Sequence, residues 1–226
     1  MSILQASIVA IWKSKGPTSH DVVDAVRRIT GERRVGHAGT LDPMAEGVLV
    51  VGIGREATRQ LASEVAKEKE YVASVCLGAT STTDDAEGVI TETQNAERKM
   101  QNDIEDALKR FIGHIQQVPP MYSAVKIKGT PAHRRMRRGE EVHLTPRVVD
   151  ITLIDLLRYE WPQLELRVVC GPGTYIRALA RDIGERLGVG GYLTALTRTR
   201  VGTHTEATAL TLEEFRTRWP SIVIGR

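Results

Sequence analysis

Apolar residues along this chain recur with two spacings, and the places where one gives way to the other mark its elements. A strand-like run from Ile3 to Trp12 comes first; it is too short to span a bilayer and has no basic residue ahead of it, unlike a signal peptide. In "HDVVDAVRRITG", Val22, Val23, Val26 and Ile29 fall at helical spacing, with Ser19 placed to cap the helix and Gly31 to stop it. "GVLVVGIG" is a continuous apolar run punctuated by Gly47, Gly52 and Gly54, which predicts a buried strand leaving a tight loop. A helix is predicted over "EATRQLASEVAK", and alternation in "KEYVASVCLG" sets Tyr71, Ala73, Val75 and Leu77 on one side of a strand.

The second half repeats both patterns. "NDIEDALKRFIG" predicts an amphipathic helix closed by Gly113, and "RVVDITLIDLLRYEW" and "QLELRVVC" predict long strands, the second with Leu164, Leu166, Val168 and Cys170 on one face. In "TYIRALARDIGERLG", Ile176, Leu179, Ala180, Ile183 and Leu187 form one helical stripe. "ALTRTRVG" reads as a last strand and "LEEFRTRW" as a short helix. Strands and helices mix without a regular βαβ period, so the fold class is α+β.

Composition adds little until its distribution is considered. With 226 residues, 41% apolar and 26% charged, the chain is an ordinary globular one with room for one sizeable core. Net charge is only +3, but seven Lys or Arg stand against two Glu between Lys126 and Arg147. That density is compatible with a solvated face and with a contact to a polyanion. Cys76 and Cys170 lie in apolar alternating segments and read as reduced and buried.

Several chemistries are set aside by spacing. There is no phosphate-binding G-x-x-x-x-G-K-[ST] loop and no G-x-S-x-G elbow. The six histidines never fall at H-E-x-x-H spacing and the two cysteines are 94 residues apart, so no metal site is expected. Asp84 and Asp85, adjacent in the polar loop "GATSTTDDAEG", read as a turn-forming pair. What stands out is "GHAGTLDP": special backbone surrounds a single carboxylate, Asp42, with no nucleophile or metal ligand beside it.

Together with "KEYVASVCLGATSTTDDAEG", "PPMYSAVKIKG" and "GPGTYIRALARDIGERLGVGGYLTALTRTRVG", that block makes the chain resemble the TruB-type pseudouridine synthases, from about Lys13 to about Phe215. The resemblance implies a pseudouridine synthase fold: a central mixed, largely antiparallel sheet flanked by helices, with residues 126–147 as a basic RNA-contacting insertion. It implies an isomerase acting on uridine 55 in the T-loop of tRNA, in the cytoplasm and without a cofactor. By position, Asp42 matches the catalytic aspartate, Tyr71 the tyrosine lying against the uracil, and Arg177 the arginine that pairs with the carboxylate. His37 matches the histidine that stacks on displaced RNA, Tyr175 a pocket tyrosine, and Leu196 a leucine of the uracil pocket; Lys13 is assigned to substrate binding.

The chemistry fits one acid. Turning uridine into pseudouridine detaches the base, rotates it and rejoins it through carbon, so the product is an isomer and neither hydrolysis nor a redox change occurs. A carboxylate that adds to uracil C6, adds to the anomeric carbon, or takes a C2′ proton serves equally at this stage. A buried Asp needs compensation to stay ionised, and a guanidinium supplies it with bidentate geometry. If "GTYIR" ends a strand before its helix starts, Tyr175 and Arg177 face one pocket most easily.

Three departures from the family pattern are visible. Lys13 is followed by Ser14 where a proline is usual, and His133 with "MRRG" replaces a tyrosine followed by "AR-x-G". Arg134, Arg135, Arg137, Arg138, Lys126 and Lys128 are expected to contact RNA phosphates through counterion release. Residues 1–226 are expected to form a single catalytic domain without the separate C-terminal RNA-binding domain of many bacterial members. A monomer is expected, since no long apolar stripe is left over. An RNA-folding protein with weak turnover, and the same chemistry on T-loop-like hairpins of other RNAs, remain open alternatives.

Overall fold

The structure is a computed structural model and describes residues 7–123, 126–127, 130–131 and 144–224; for 126–127, 130–131 and 220–224 it describes the main chain only. In chain order the elements are β1 (Ser7–Lys13), α1 (Ser19–Thr30), β2 (Val35–Ala38), β3 (Glu46–Ile53), α2 (Arg55–Val65) and β4 (Lys69–Leu77). Next come β5 (Ala79–Ser81), β6 (Ile90–Glu92), α3 (Gln101–Lys109), β7 (Gly113–Gln117), β8 (Lys126–Ile127) and β9 (Thr130–Pro131). The last are β10 (Arg147–Glu160), β11 (Gln163–Cys170), α4 (Ile176–Arg186), β12 (Gly191–Val201), β13 (His204–Thr205) and α5 (Leu212–Ile224). They fall into two compact units, Met1–Tyr71 with Leu196–Arg226, and Val72–Ala195.

In the first unit β3 is the central strand. β1 pairs antiparallel with it from Ser7↔Ile53 to Lys13↔Gly47, and β2 pairs antiparallel from Val35↔Ile53 to Ala38↔Val50. β12 joins β3 in parallel at Thr197↔Glu46 and Arg198↔Gly47. The continuous apolar run of β3 is explained by cover on both faces. Leu49, Val51 and Ile53 pack with Val22, Val23 and Val26 of α1 and Phe215 and Trp219 of α5. Val48 and Val50 pack the other way, with Leu61 of α2 and Val201.

The cap of α1 differs from the sequence expectation. Thr18, not Ser19, is the N-cap: its hydroxyl accepts from the Asp21 amide, and the Asp21 carboxylate accepts in return from the Thr18 amide at 2.8 Å. Ser19 is thereby released for another task. Gly31 ends the helix as expected, in the left-handed conformation at φ 71°.

The second unit is built on the β10–β11 antiparallel hairpin, with β7 on the outer side of β10. Leu164, Leu166, Val168 and Cys170 are buried as the alternation predicts, and so are Ile176, Leu179, Ala180 and Ile183 of α4. Cys76 corrects the expectation that both thiols are buried: it is half-buried, and its Sγ accepts from Gln163 Nε2 at 3.7 Å. Apart from β3–β12, the strand pairs detailed for the described residues are antiparallel, and the class is α+β. No helix among the described residues is long and apolar enough to cross a membrane.

Candidate active site

Asp42 sits in the turn between β2 and β3, in the first unit. The Asp42 carbonyl accepts from the Ala45 amide at 3.1 Å, closing a turn in which Pro43 takes the position its fixed φ suits. The backbone around it is held from below by three buried side chains of the same unit. Ser19 Oγ accepts from the Leu41 amide at 2.8 Å and donates to the Leu41 carbonyl at 2.9 Å. Lys13 Nζ donates to the Ala45 carbonyl at 2.6 Å and to Pro43 at 3.4 Å. Arg198 donates to the Gly39 carbonyl at 3.0 Å, to Thr40 at 3.4 Å and to Val48 at 2.8 Å.

From Gly39 to Pro43, and again at Ala45, each carbonyl of the turn therefore has a partner. The turn that carries Asp42 is fixed peptide by peptide. The sheet register makes it possible. Lys13, Gly47 and Arg198 lie level on three adjacent strands, so both cations leave the sheet on the same face and reach the turn. Gly47, at φ 116°, is needed between them, because a Cβ there would fall 2.2 Å from the Arg198 carbonyl oxygen.

Lys13, expected to bind substrate, is only 1% exposed, and its ammonium donates to the turn carbonyls of Pro43 and Ala45 and to the Ser14 carbonyl at 3.0 Å. Tyr71 and Leu196 are both buried in this unit, 7% exposed each. His37, at the β2 side of the turn, is half-buried, and its buried Nδ1 meets no hydrogen-bond partner among the described residues. Burial, and then the charges of Arg198 and His20, hold its pKa below the ordinary value of 6.5, so the ring is neutral at neutral pH.

The second unit positions Arg177 and Tyr175. β11 ends at Cys170, a turn follows, and Tyr175 is the extended N-cap residue of α4 at φ −103°, ψ 111°. "GTYIR" is thus a turn entering a helix, not the end of a strand, though Tyr175 keeps the extended backbone that the shared-pocket expectation needs. Gln117, 1% exposed, fixes it: its side-chain oxygen accepts from the Tyr175 amide at 2.9 Å and its Nε2 donates to the Tyr175 carbonyl at 3.1 Å.

Arg177, one residue into the helix, donates to Asp85 Oδ2, to the Thr83 carbonyl and to the Tyr122 carbonyl, each at 3.1 Å. Its Asp85 partner has a side chain only 2% exposed. The turn reading of the acidic pair is therefore incomplete. Asp85 does form a turn, accepting from the Glu87 amide at 3.0 Å, but it also anchors a buried guanidinium. Asp84, at φ 62°, pairs with Arg181 at 2.8 Å, and burial raises its pKa more than that arginine lowers it.

Sequence reasoning missed four of these residues. Arg198 had a signal: it is in phase with buried Leu196 in "ALTRTRVG", where an inward charge needs a reason. Ser19 was read as a cap, Asp85 as a turn former, and Gln117 carried no signal at all. Arg134, Arg135, Arg137, Arg138 and Lys128 lie outside the described residues, as does the side chain of Lys126. No group of His, Cys, Asp and Glu suited to a metal ion occurs among the described residues.

Residues 27–176 match the family model described as TruB family pseudouridylate synthase (N terminal domain), and residues 177–220 match that of the tRNA pseudouridylate synthase B C-terminal domain. The chain is 50% identical over 215 residues to tRNA pseudouridine synthase B of Thermobifida fusca, covering 92% of this chain and 73% of that protein. It is 46% identical over 220 residues to the protein of the same name from Corynebacterium diphtheriae, covering 94% and 73%. Among solved structures it resembles a chain of a Cbf5-Nop10-Gar1 complex at a TM-score of 0.75 and 32% identity, over 96% of this chain and 55% of that one. The chain belongs to the TruB family of pseudouridylate synthases.

Proposed function

We propose that this chain isomerises uridine to pseudouridine at position 55 in the T-loop of tRNA, as a cytoplasmic monomer, with Asp42 as the catalytic carboxylate. The observation that carries this reading is the turn itself, which gives Asp42 an over-determined backbone. The relatives' names point to tRNA as the RNA. A T-loop nucleotide is extruded for a few kcal/mol, least of all in a loop. Stacking by Tyr71 against the base and by His37 against displaced RNA offsets about 1–3 kcal/mol per stacked base. Arg177 is the arginine that the family pattern assigns to the catalytic carboxylate, and Asp85, Thr83 and Tyr122 hold it in one orientation.

The test is tritium release from C5-labelled uridine in a tRNA transcript. Asp42→Asn is expected to lower the single-turnover rate at least about 10³-fold while keeping RNA affinity. A wild-type rate in that variant overturns the assignment. Tyr71→Phe is expected to bind the transcript normally and to lose turnover, since the ring remains and the hydroxyl does not; unchanged product formation removes its acid–base role.

A further inference from the structure

We propose that Arg198 is a positioning residue for the reaction, setting the direction of Asp42 through the turn's main chain. The inference rests on Asp42 being the catalytic carboxylate. Arg198 is 1% exposed, and each of its hydrogen bonds among the described residues goes to a main-chain carbonyl: Val48 on β3, Gly39 and Thr40 in the turn. A buried cation without a carboxylate is an expensive way to gain stability, and an apolar side chain of similar volume commonly does as well or better. Its presence at this place therefore calls for a geometric task.

The geometry supplies one. The planar fork spans two successive peptide units of the turn while its Nε stays fixed to β3, so it ties the turn to the sheet at a set distance. Peptide planarity carries that constraint forward. With the Thr40 carbonyl turned to Arg198, the Leu41 amide faces the opposite way, where Ser19 Oγ accepts it. The Leu41 carbonyl then returns to the same hydroxyl, and Asp42 follows with its backbone already decided. Lysine cannot replace this. Its single ammonium satisfies a point, as Lys13 does at Pro43 and Ala45, but lacks the rigid fork.

A group that places a reacting carboxylate, without touching substrate, acts on the chemical step and not on RNA binding. In the full chain, Arg198→Met and Arg198→Lys are compared with wild type and Asp42→Asn by single-turnover tritium release at saturating transcript, alongside RNA affinity and the folded fraction from circular dichroism. Arg198→Met is expected to lose about 100-fold in rate and Arg198→Lys about 10-fold, per folded molecule, with RNA affinity within about 2-fold of wild type. Rates within about 3-fold of wild type overturn the proposal, as does a loss explained by weaker RNA binding or by unfolded protein. If Arg198→Met does not fold, Arg198→Lys alone decides, because it keeps a cation in place and removes only the fork. An inactive Asp42→Asn beside fully active Arg198 variants refutes this inference alone; an active Asp42→Asn refutes the catalytic reading beneath it.

Discussion

Two buried guanidinium groups, one in each unit, are handled in opposite ways. Arg177 has a carboxylate partner: Asp85, also buried, faces it at 3.1 Å, and it donates besides to two carbonyls. Arg198, among the described residues, hydrogen-bonds to carbonyls alone. The first arrangement is an ion pair whose members depend on each other, and the second is a clamp on the main chain. The difference teaches that burial of an arginine has no single meaning. A carboxylate partner makes the pair answerable for stability, whereas carbonyl partners make the cation answerable for shape.

That contrast can be broken most forcefully at Asp85. Asp85→Ala leaves the Arg177 charge buried and is expected to cost about 3–5 kcal/mol, seen as a fall of about 10 °C in Tm by calorimetry. Arg198→Met, by contrast, is expected to cost less than half as much, because removal of an uncompensated charge offsets the carbonyls it strands. Equal losses for the two would erase the distinction.

The smallest effect sharpens it through His37. Its pKa lies below 6.5 because of burial first and Arg198 second, so the folded chain binds fewer protons than the unfolded one. Stability from this group is complete above pH 6.5 and declines as pH falls toward the folded value. In Arg198→Met the His37 titration followed by NMR is expected to move upward, yet stay below 6.5 because burial persists. The pH-dependent loss should shrink with it. No movement would mean that the clamp's charge is screened from the ring.

The longer elements were legible in the sequence because they rest on local periodicity: the unbroken apolar run of β3, the alternation of β4 and the stripe of α4 all follow from which faces are covered, whereas short strands such as β5, inside the stretch read as a polar loop, carry no such period. The Asp42 turn was legible as special backbone around one acid. What supports it was not, since support comes from strands far apart in sequence. Arg198 lies some 150 residues from the carbonyl of Val48 to which it is bound, and only the sheet register brings them together. Ser19 illustrates the same limit in miniature. Local rules made it a helix cap, but Thr18 is better placed for the capping box, leaving the serine hydroxyl to the turn. Gln117 serves one residue's main chain, a role no composition or spacing announces.

One position shows how finely that arrangement is spaced. β3 looks like the strand most tolerant of redesign, with seven of its eight residues buried and most of them aliphatic. At Gly47, however, even a methyl group would collide with the neighbouring backbone, so the addition cannot be absorbed by a side chain moving aside. Widening the seam there would draw the ammonium and the guanidinium apart, and the turn they share would be stretched from both ends. The least decorated residue of the sheet thus sets the gauge for its most exacting loop.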